Sequence, residues 1–252
     1  MGAGAAAAAA ARRTLWRGVL GLTGGLRVHG AAGLPPGPCV IVANHSSHAD
    51  TAALIAALPA QRRPVVAAAA DYWFGGGIRP ALCRALCAAF PVRRSGGGSA
   101  DLAAAARLLA SGHDVIVFPE GTRSRDGRTG DFHRGAARLA AAAGAPLVPA
   151  GISGTRILLP PGGPARPRRA AVTVRFGAPL LASPRGGRSM IMASSAGYLP
   201  ISGHDHDQGL SDATAEARAR VVALAASVTP GARRGGPPSL GQSAVMRMRY
   251  RT

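Results

Sequence analysis

Short apolar runs, each closed by a polar loop, punctuate the chain from Val40 to Phe176. Val40 to Ala43, Pro64 to Ala68, Phe90 to Val92, Asp114 to Phe118, Pro146 to Ile152 and Ala171 to Phe176 have the length and apolar content of buried strands. Between them lie alanine- and leucine-rich stretches that read as helices: Ala52 to Leu58, Leu82 to Leu86, Leu102 to Leu109, an alanine-rich run after Gly135, and a last one opening at Ser211-Asp212 and ending near Val228. Ser99-Ala100-Asp101 supplies a cap for the third of these and Gly112 a stop. Strands alternating with helices predict one α/β domain.

Two of the predicted strands end in loops rich in chemistry. The first is followed by Asn44-His45-Ser46-Ser47-His48-Ala49-Asp50 and the next helix. In open α/β sheets ligands bind at the carboxyl edge of the strands, and a helix N-terminus beside that edge favours negative charge. His45 and Asp50 can meet if the loop folds back, the carboxylate then fixing the imidazole tautomer and leaving the other nitrogen to take a proton. The plainer alternative is that Asp50 caps the helix and His45 is a loop histidine. The second such loop is Pro119-Glu120-Gly121-Thr122-Arg123-Ser124-Arg125. Gly121 permits close backbone approach to a ligand, Thr122 offers a hydroxyl and Arg123 a planar fork that matches phosphate, whereas an exposed Glu120–Arg123 ion pair of little consequence is the plainer reading.

Composition alters this picture less than its extremes suggest. The formal net charge of +19 would ordinarily point to nucleic acid or a membrane surface. Every basic residue is arginine, however, and the chain is saturated with alanine and glycine, a pattern of compositional bias rather than of function. An aromatic content of 4% argues against base-stacking platforms, and no specific nucleic-acid partner is expected. Cys39, Cys83 and Cys87 make no disulfide framework and read as packing residues in a reduced setting. The run His204-Asp205-His206-Asp207 falls in what reads as a loop within 181–208 and is assigned to solvent rather than to metal. Asp71 to Gly77 reads as a loop whose Tyr72, Trp73 and Phe74 either line a groove or pack. Residues 1–25 read as a membrane-surface or disordered leader, with Leu15, Trp16 and Val19 toward lipid and arginines toward phosphates. Residues 26–228 form the domain, and 229–252 read as a disordered tail.

Taken together, Asn44-His45 with Asp50, Phe118-Pro119-Glu120-Gly121-Thr122-Arg123-Ser124 and Val148-Pro149 resemble the blocks of the glycerolipid acyltransferase superfamily, in particular the 1-acylglycerol-3-phosphate acyltransferases. The resemblance runs from about Leu26 to Leu180, and Phe132 with Gly135-Ala136 extends it. Its second block often ends Ile-Asp-Arg, so Arg93 stands where that Asp would be and Arg94 on the Arg, unless the register is one residue off. The resemblance implies a single-domain mixed sheet flanked by helices, of the glycerol-3-phosphate acyltransferase kind. It implies His45 as general base and Asp50 as its orienting carboxylate. Arg123 with Arg93 or Arg94 would hold an acceptor phosphate in a pocket shaped by Gly121 and Thr122. Glu120 would either hold Arg123 or contact glycerol hydroxyls.

The implied reaction moves an acyl chain from acyl-CoA or acyl carrier protein to the free hydroxyl of a lysophospholipid, giving phosphatidic acid at the cytoplasmic face of the cell membrane. A thiolate leaves readily once a base activates the hydroxyl, so the expectation is no cofactor and no metal. Other acceptors (a lyso-ornithine lipid, a glycolipid, glycerol-3-phosphate), a non-catalytic basic membrane- or nucleic-acid-binding protein, and an inactive family member are the rival readings.

Overall fold

The computed structural model describes residues 2–93, 98–163, 167–182 and 203–227. Arg94, residues 183–202 of the 181–208 stretch and the tail 229–252 lie outside them. In chain order the elements are α1 (Gly2–Leu22), β1 (Leu26–His29), β2 (Val40–Ala43), α2 (Ala49–Ala57), β3 (Pro64–Ala69), α3 (Ala70–Trp73), α4 (Arg79–Cys87), β4 (Ala89–Val92), α5 (Gly98–Ala110), β5 (Asp114–Val117), α6 (Gly135–Ala143), β6 (Leu147–Ser153), α7 (Thr155–Leu158), β7 (Val172–Phe176) and α8 (Gly203–Ala226).

The strands form one mixed sheet in the order β1-β7-β6-β2-β5-β3-β4. All neighbours run parallel except β6 and β7, which are antiparallel. The apolar runs of β2 and β5 are continuous because helices cover both faces. Ile41 and Ala43 pack with α2 residues Leu54 and Ile55 on one face, and Val40 and Val42 pack with Leu139 of α6 and Val221 of α8 on the other. Parallel pairing brings the carboxyl ends of β2, β5, β3 and β4 to one edge, where the polar loops emerge.

The opposite edge is closed by a buried ion pair. Asp114, at the start of β5, meets Arg62 at 2.7 Å and accepts the Cys39 N–H at 3.1 Å. Burial pushes the Asp114 carboxyl up, and it pushes the Cys39 and Cys87 thiols up to about 12, so neither thiol is a nucleophile near neutral pH. All three cysteines are free, in keeping with a packing role.

Several expectations are corrected. The leader is a helix, α1, docked on the domain: Leu20 is buried and Trp16 Nε1 donates to the Leu86 carbonyl at 2.9 Å. Its arginines face protein carbonyls rather than lipid phosphates, Arg12 on Ala85, Arg13 on Leu58 and Arg17 on Ala56. These carbonyls end α4 and α2, where orphan oxygens and the helix dipole attract guanidinium groups. Leu15 of α1 does remain exposed. β1 is an element the apolar runs do not signal, because Leu26-Arg27-Val28-His29 alternates apolar and polar residues as a half-covered edge strand. Asp71 to Trp73 belong to the short helix α3, and Ser99 to Asp101 lie inside the first turn of α5. α8 begins at Gly203 rather than at Ser211, whose hydroxyl donates back to the Asp207 carbonyl within the helix. Asp207 pairs with Arg134 and Arg138, and among the described residues no cluster of His, Cys, Asp and Glu could hold a metal ion.

Candidate active site

β2 and β5 are adjacent and in register, Val42 opposite Val117, and three residues on from each member of that pair stand His45 and Glu120, which the two loops keep together. The sheet ladder is carried past the end of β2 by Asn44, whose side-chain amide donates to the Ile152 carbonyl at 3.0 Å and accepts the Ile152 N–H at 2.8 Å. That pair anchors the loop to β6 just before the histidine. The loop then folds back as the chemistry requires. His45 Nδ1 lies 2.9 Å from Asp50 Oδ2, and the same oxygen accepts the N–H groups of Ser46 and Ser47 at 2.7 Å each.

Asp50 sits in the first turn of α2 and is fully buried, while the His45 side chain retains 18% exposure. Helix terminus and dyad are therefore not alternatives: one carboxylate shapes the loop and aims the ring. Phe118 stacks on the imidazole at 4.1 Å between centroids and 19° between planes, fixing its second degree of freedom. Among the described residues Nε2 makes no hydrogen bond, and it is the nitrogen left to take a proton. In the sequence Asn44 and Phe118 stand only as members of motifs. Their adjacency to the polar end of an apolar strand was the available signal for a positioning role.

The second loop is tied to the first through main chain. Glu120 Oε1 accepts the His45 N–H at 2.7 Å and its Oε2 accepts the Gly130 N–H at 2.9 Å. The Ser124 N–H donates to the His45 carbonyl at 2.8 Å. Among the described residues Glu120 thus makes no ion pair with Arg123; its oxygens face the main chain of His45 and Gly130 instead. Burial, its largest influence, raises the Glu120 carboxyl above its ordinary value. Gly121 turns the chain with φ of +69°, a conformation that favours glycine, and its N–H closes the turn onto the Phe118 carbonyl at 3.1 Å. Thr122 is exposed at the turn, and Arg123 is half-buried without a hydrogen bond or ion pair to any described residue. Burial, and then the charge of Arg123, hold His48 below its ordinary value.

Not every predicted residue joins this cluster. β4 is separated from β2 by β5 and β3, so Arg93 leaves the same sheet edge roughly 14 Å away at about 4.8 Å per strand. Its backbone N–H and guanidinium are engaged with Asp101 at 2.8 and 3.1 Å, which holds that carboxyl below its ordinary value. Arg94 lies outside the described residues. The intervening β3 delivers Tyr72 and Trp73, which meet the His48 ring at 6.3 and 5.6 Å.

Residues 25–153, just over half of the chain, match the family described as Acyltransferase. The chain belongs to that family. The matched span holds both loops, from the base of β1 to the end of β6. Among relatives within the acyltransferases, a chloroplastic 1-acyl-sn-glycerol-3-phosphate acyltransferase of Brassica napus is 49% identical over 55 residues, 22% of this chain and 16% of that one. The 1-acyl-sn-glycerol-3-phosphate acyltransferase alpha of Homo sapiens is 34% identical over 126 residues, 49% of this chain and 44% of that one. The 1-acyl-sn-glycerol-3-phosphate acyltransferase of Bacillus subtilis is 31% identical over 140 residues, 54% of this chain and 66% of that one. The chain therefore spans from about a sixth to about two thirds of these relatives' lengths. In fold it is similar to the 1-acyl-sn-glycerophosphate (LPA) acyltransferase PlsC of Thermotoga maritima, with a TM-score of 0.56 at 20% identity over 83% of this chain and 77% of that one.

Proposed function

We propose that the chain transfers an acyl group from a thioester of coenzyme A or acyl carrier protein to the free hydroxyl of a lysophospholipid, with 1-acylglycerol-3-phosphate as acceptor and phosphatidic acid as product. The observation that carries this reading is the His45–Asp50 contact, with Nε2 left free at the carboxyl edge of the sheet. The names of its relatives agree with it. The acceptor hydroxyl gives its proton to Nε2 as its oxygen attacks the thioester carbonyl. The tetrahedral adduct then collapses, the C–S bond breaks, and the proton passes from the imidazolium to the departing thiolate. Asp50 stabilises the imidazolium while it exists. A thioester brings its own leaving group, so the proposed reaction uses no metal or prosthetic group.

Arg123 receives the acceptor phosphate beside the Gly121–Thr122 turn. Arg123→Ala is expected to raise the acceptor KM by about 10–100-fold, the worth of one or two charge-assisted hydrogen bonds, with the donor KM unchanged. Equal rises in both constants would remove Arg123 from the acceptor pocket.

The direct test is thiol release from a long-chain acyl-CoA by purified protein, with and without lysophosphatidic acid. Release that requires the acceptor supports the reading; its absence across donors and lysolipids, from folded protein, overturns it. The proposed setting is the cytoplasmic face of the cell membrane, with the chain held peripherally. Among the described residues no helix is long and apolar enough to cross a membrane, while Leu15, Leu22, Ile78 and Leu82 are exposed. Co-sedimentation with anionic phospholipid vesicles is expected, and protein left wholly in the supernatant would refute a lipid-surface setting.

A further inference from the structure

Two arginines beyond the end of the family match at residue 153 reach back over the second loop. Arg156, in α7, donates through Nη2 to the Arg125 carbonyl at 2.6 Å and through Nη1 to the Ser124 carbonyl at 3.3 Å. A Cβ at Gly127 would lie 3.4 Å from its Cδ and Nε, so the stem packs along the loop. Arg218, in α8, donates through Nε to the Gly130 carbonyl at 2.8 Å and through Nη2 to the Thr129 carbonyl at 3.3 Å, with Asp131 3.5 Å away.

The peptides they grip lead to His45 from both sides. Ser124, whose carbonyl Arg156 holds, donates its N–H to the His45 carbonyl. Gly130, whose carbonyl Arg218 holds, donates its N–H to Glu120, which accepts the His45 N–H. Both polar groups of the His45 backbone are thus bridged to peptides that an arginine anchors. The loop from Glu120 to Arg134 already carries four arginines against three acids, and two more guanidinium groups add like charge to it. A neutral donor would hold the same carbonyls without that repulsion, whereas a site for an anionic headgroup gains from the added positive potential.

We propose that Arg156 and Arg218 are positioning residues that clamp the loop at 120–131, setting Arg123 for an anionic acceptor headgroup and His45 for proton transfer. The proposal rests on the acyl-transfer reading above. It also makes α7 and α8, which the family match does not reach, part of the working site.

The test compares wild type with Arg156→Ala, Arg218→Ala and Arg156→Lys. Steady-state constants for lysophosphatidic acid and acyl-CoA are read alongside amide hydrogen exchange of residues 121–131. Each alanine variant is expected to raise the acceptor KM about tenfold, the scale of a small misplacement of a binding group, with the donor KM unchanged. Lysine at 156 is expected to restore part of the loss. Exchange of 121–131 should quicken while that of β2, β5 and β6 stays as in wild type, which separates the clamp from general destabilisation. Wild-type acceptor KM in both folded alanine variants would overturn the proposal, as would equal losses toward donor and acceptor. If wild type transfers no acyl group, it is the acyl-transfer reading that fails. The clamp then stands or falls on exchange alone, and unchanged protection of 121–131 in both variants sinks it. Should an alanine variant not fold, Arg218→Lys and Arg156→Lys give the same readings at smaller amplitude.

Discussion

Replacing His45 with alanine is expected to lower kcat for acyl transfer by about 10²–10⁴-fold in a protein that remains folded, the range in which a positioned general base acts. Stability should be little affected, because the backbone of residue 45, rather than its ring, joins the two loops. Its N–H to Glu120 and its carbonyl from Ser124 survive the substitution. Asp50 would keep the Ser46 and Ser47 N–H groups, so the fold-back of the loop persists without the imidazole. What disappears is the stack on Phe118 and the imidazole whose free Nε2 is the proposed acceptor of the hydroxyl proton. The acceptor KM should stay within a few-fold of wild type, since the proposed phosphate contact is Arg123 rather than His45. Thiol release with and without acceptor measures the loss. A folded variant that keeps the wild-type rate would place the base elsewhere.

The site was legible in the sequence where local pattern decides geometry, and illegible where topology does. Val40 to Ala43 announced a strand because both faces of β2 are covered, and the polar residues after it had to emerge at a strand end. His45 and Asp50 needed only a loop that returns on itself within five residues. Arg93 depended instead on which strands are neighbours, and the order β2-β5-β3-β4 puts two strands between its loop and His45. Sequence places Arg123 close to Glu120, whereas the register of β2 and β5 brings the His45 N–H to it. The docking of α1 was hidden for a related reason. Its arginines were expected at phosphates, but the helix C-termini that attract them belong to α2 and α4, distant in sequence. Arg156 and Arg218 carry no motif, and their role is visible only once α7 and α8 are seen against the loop.

Asp50→Asn is the more demanding test of the dyad, because it changes charge with almost no change of shape. The amide oxygen can still accept from Ser46 and Ser47, which leaves its nitrogen at the position of Oδ1. That oxygen is buried and unpartnered in the wild type, and a buried N–H without an acceptor costs about 1–3 kcal/mol, so a modest fall in Tm is expected. The effect on kcat should be much larger, on the order of 10²-fold, because the amide oxygen can still accept from Nδ1–H but a neutral side chain does not stabilise the imidazolium as the carboxylate does. The double variant His45→Ala with Asp50→Asn decides between two roles for the carboxylate. If Asp50 acts through His45, the pair should be no slower than the worse single variant, since an absent ring cannot be misaimed. If the two losses multiply, Asp50 contributes to turnover by a route that does not pass through His45, and a shared proton-transfer unit is refuted.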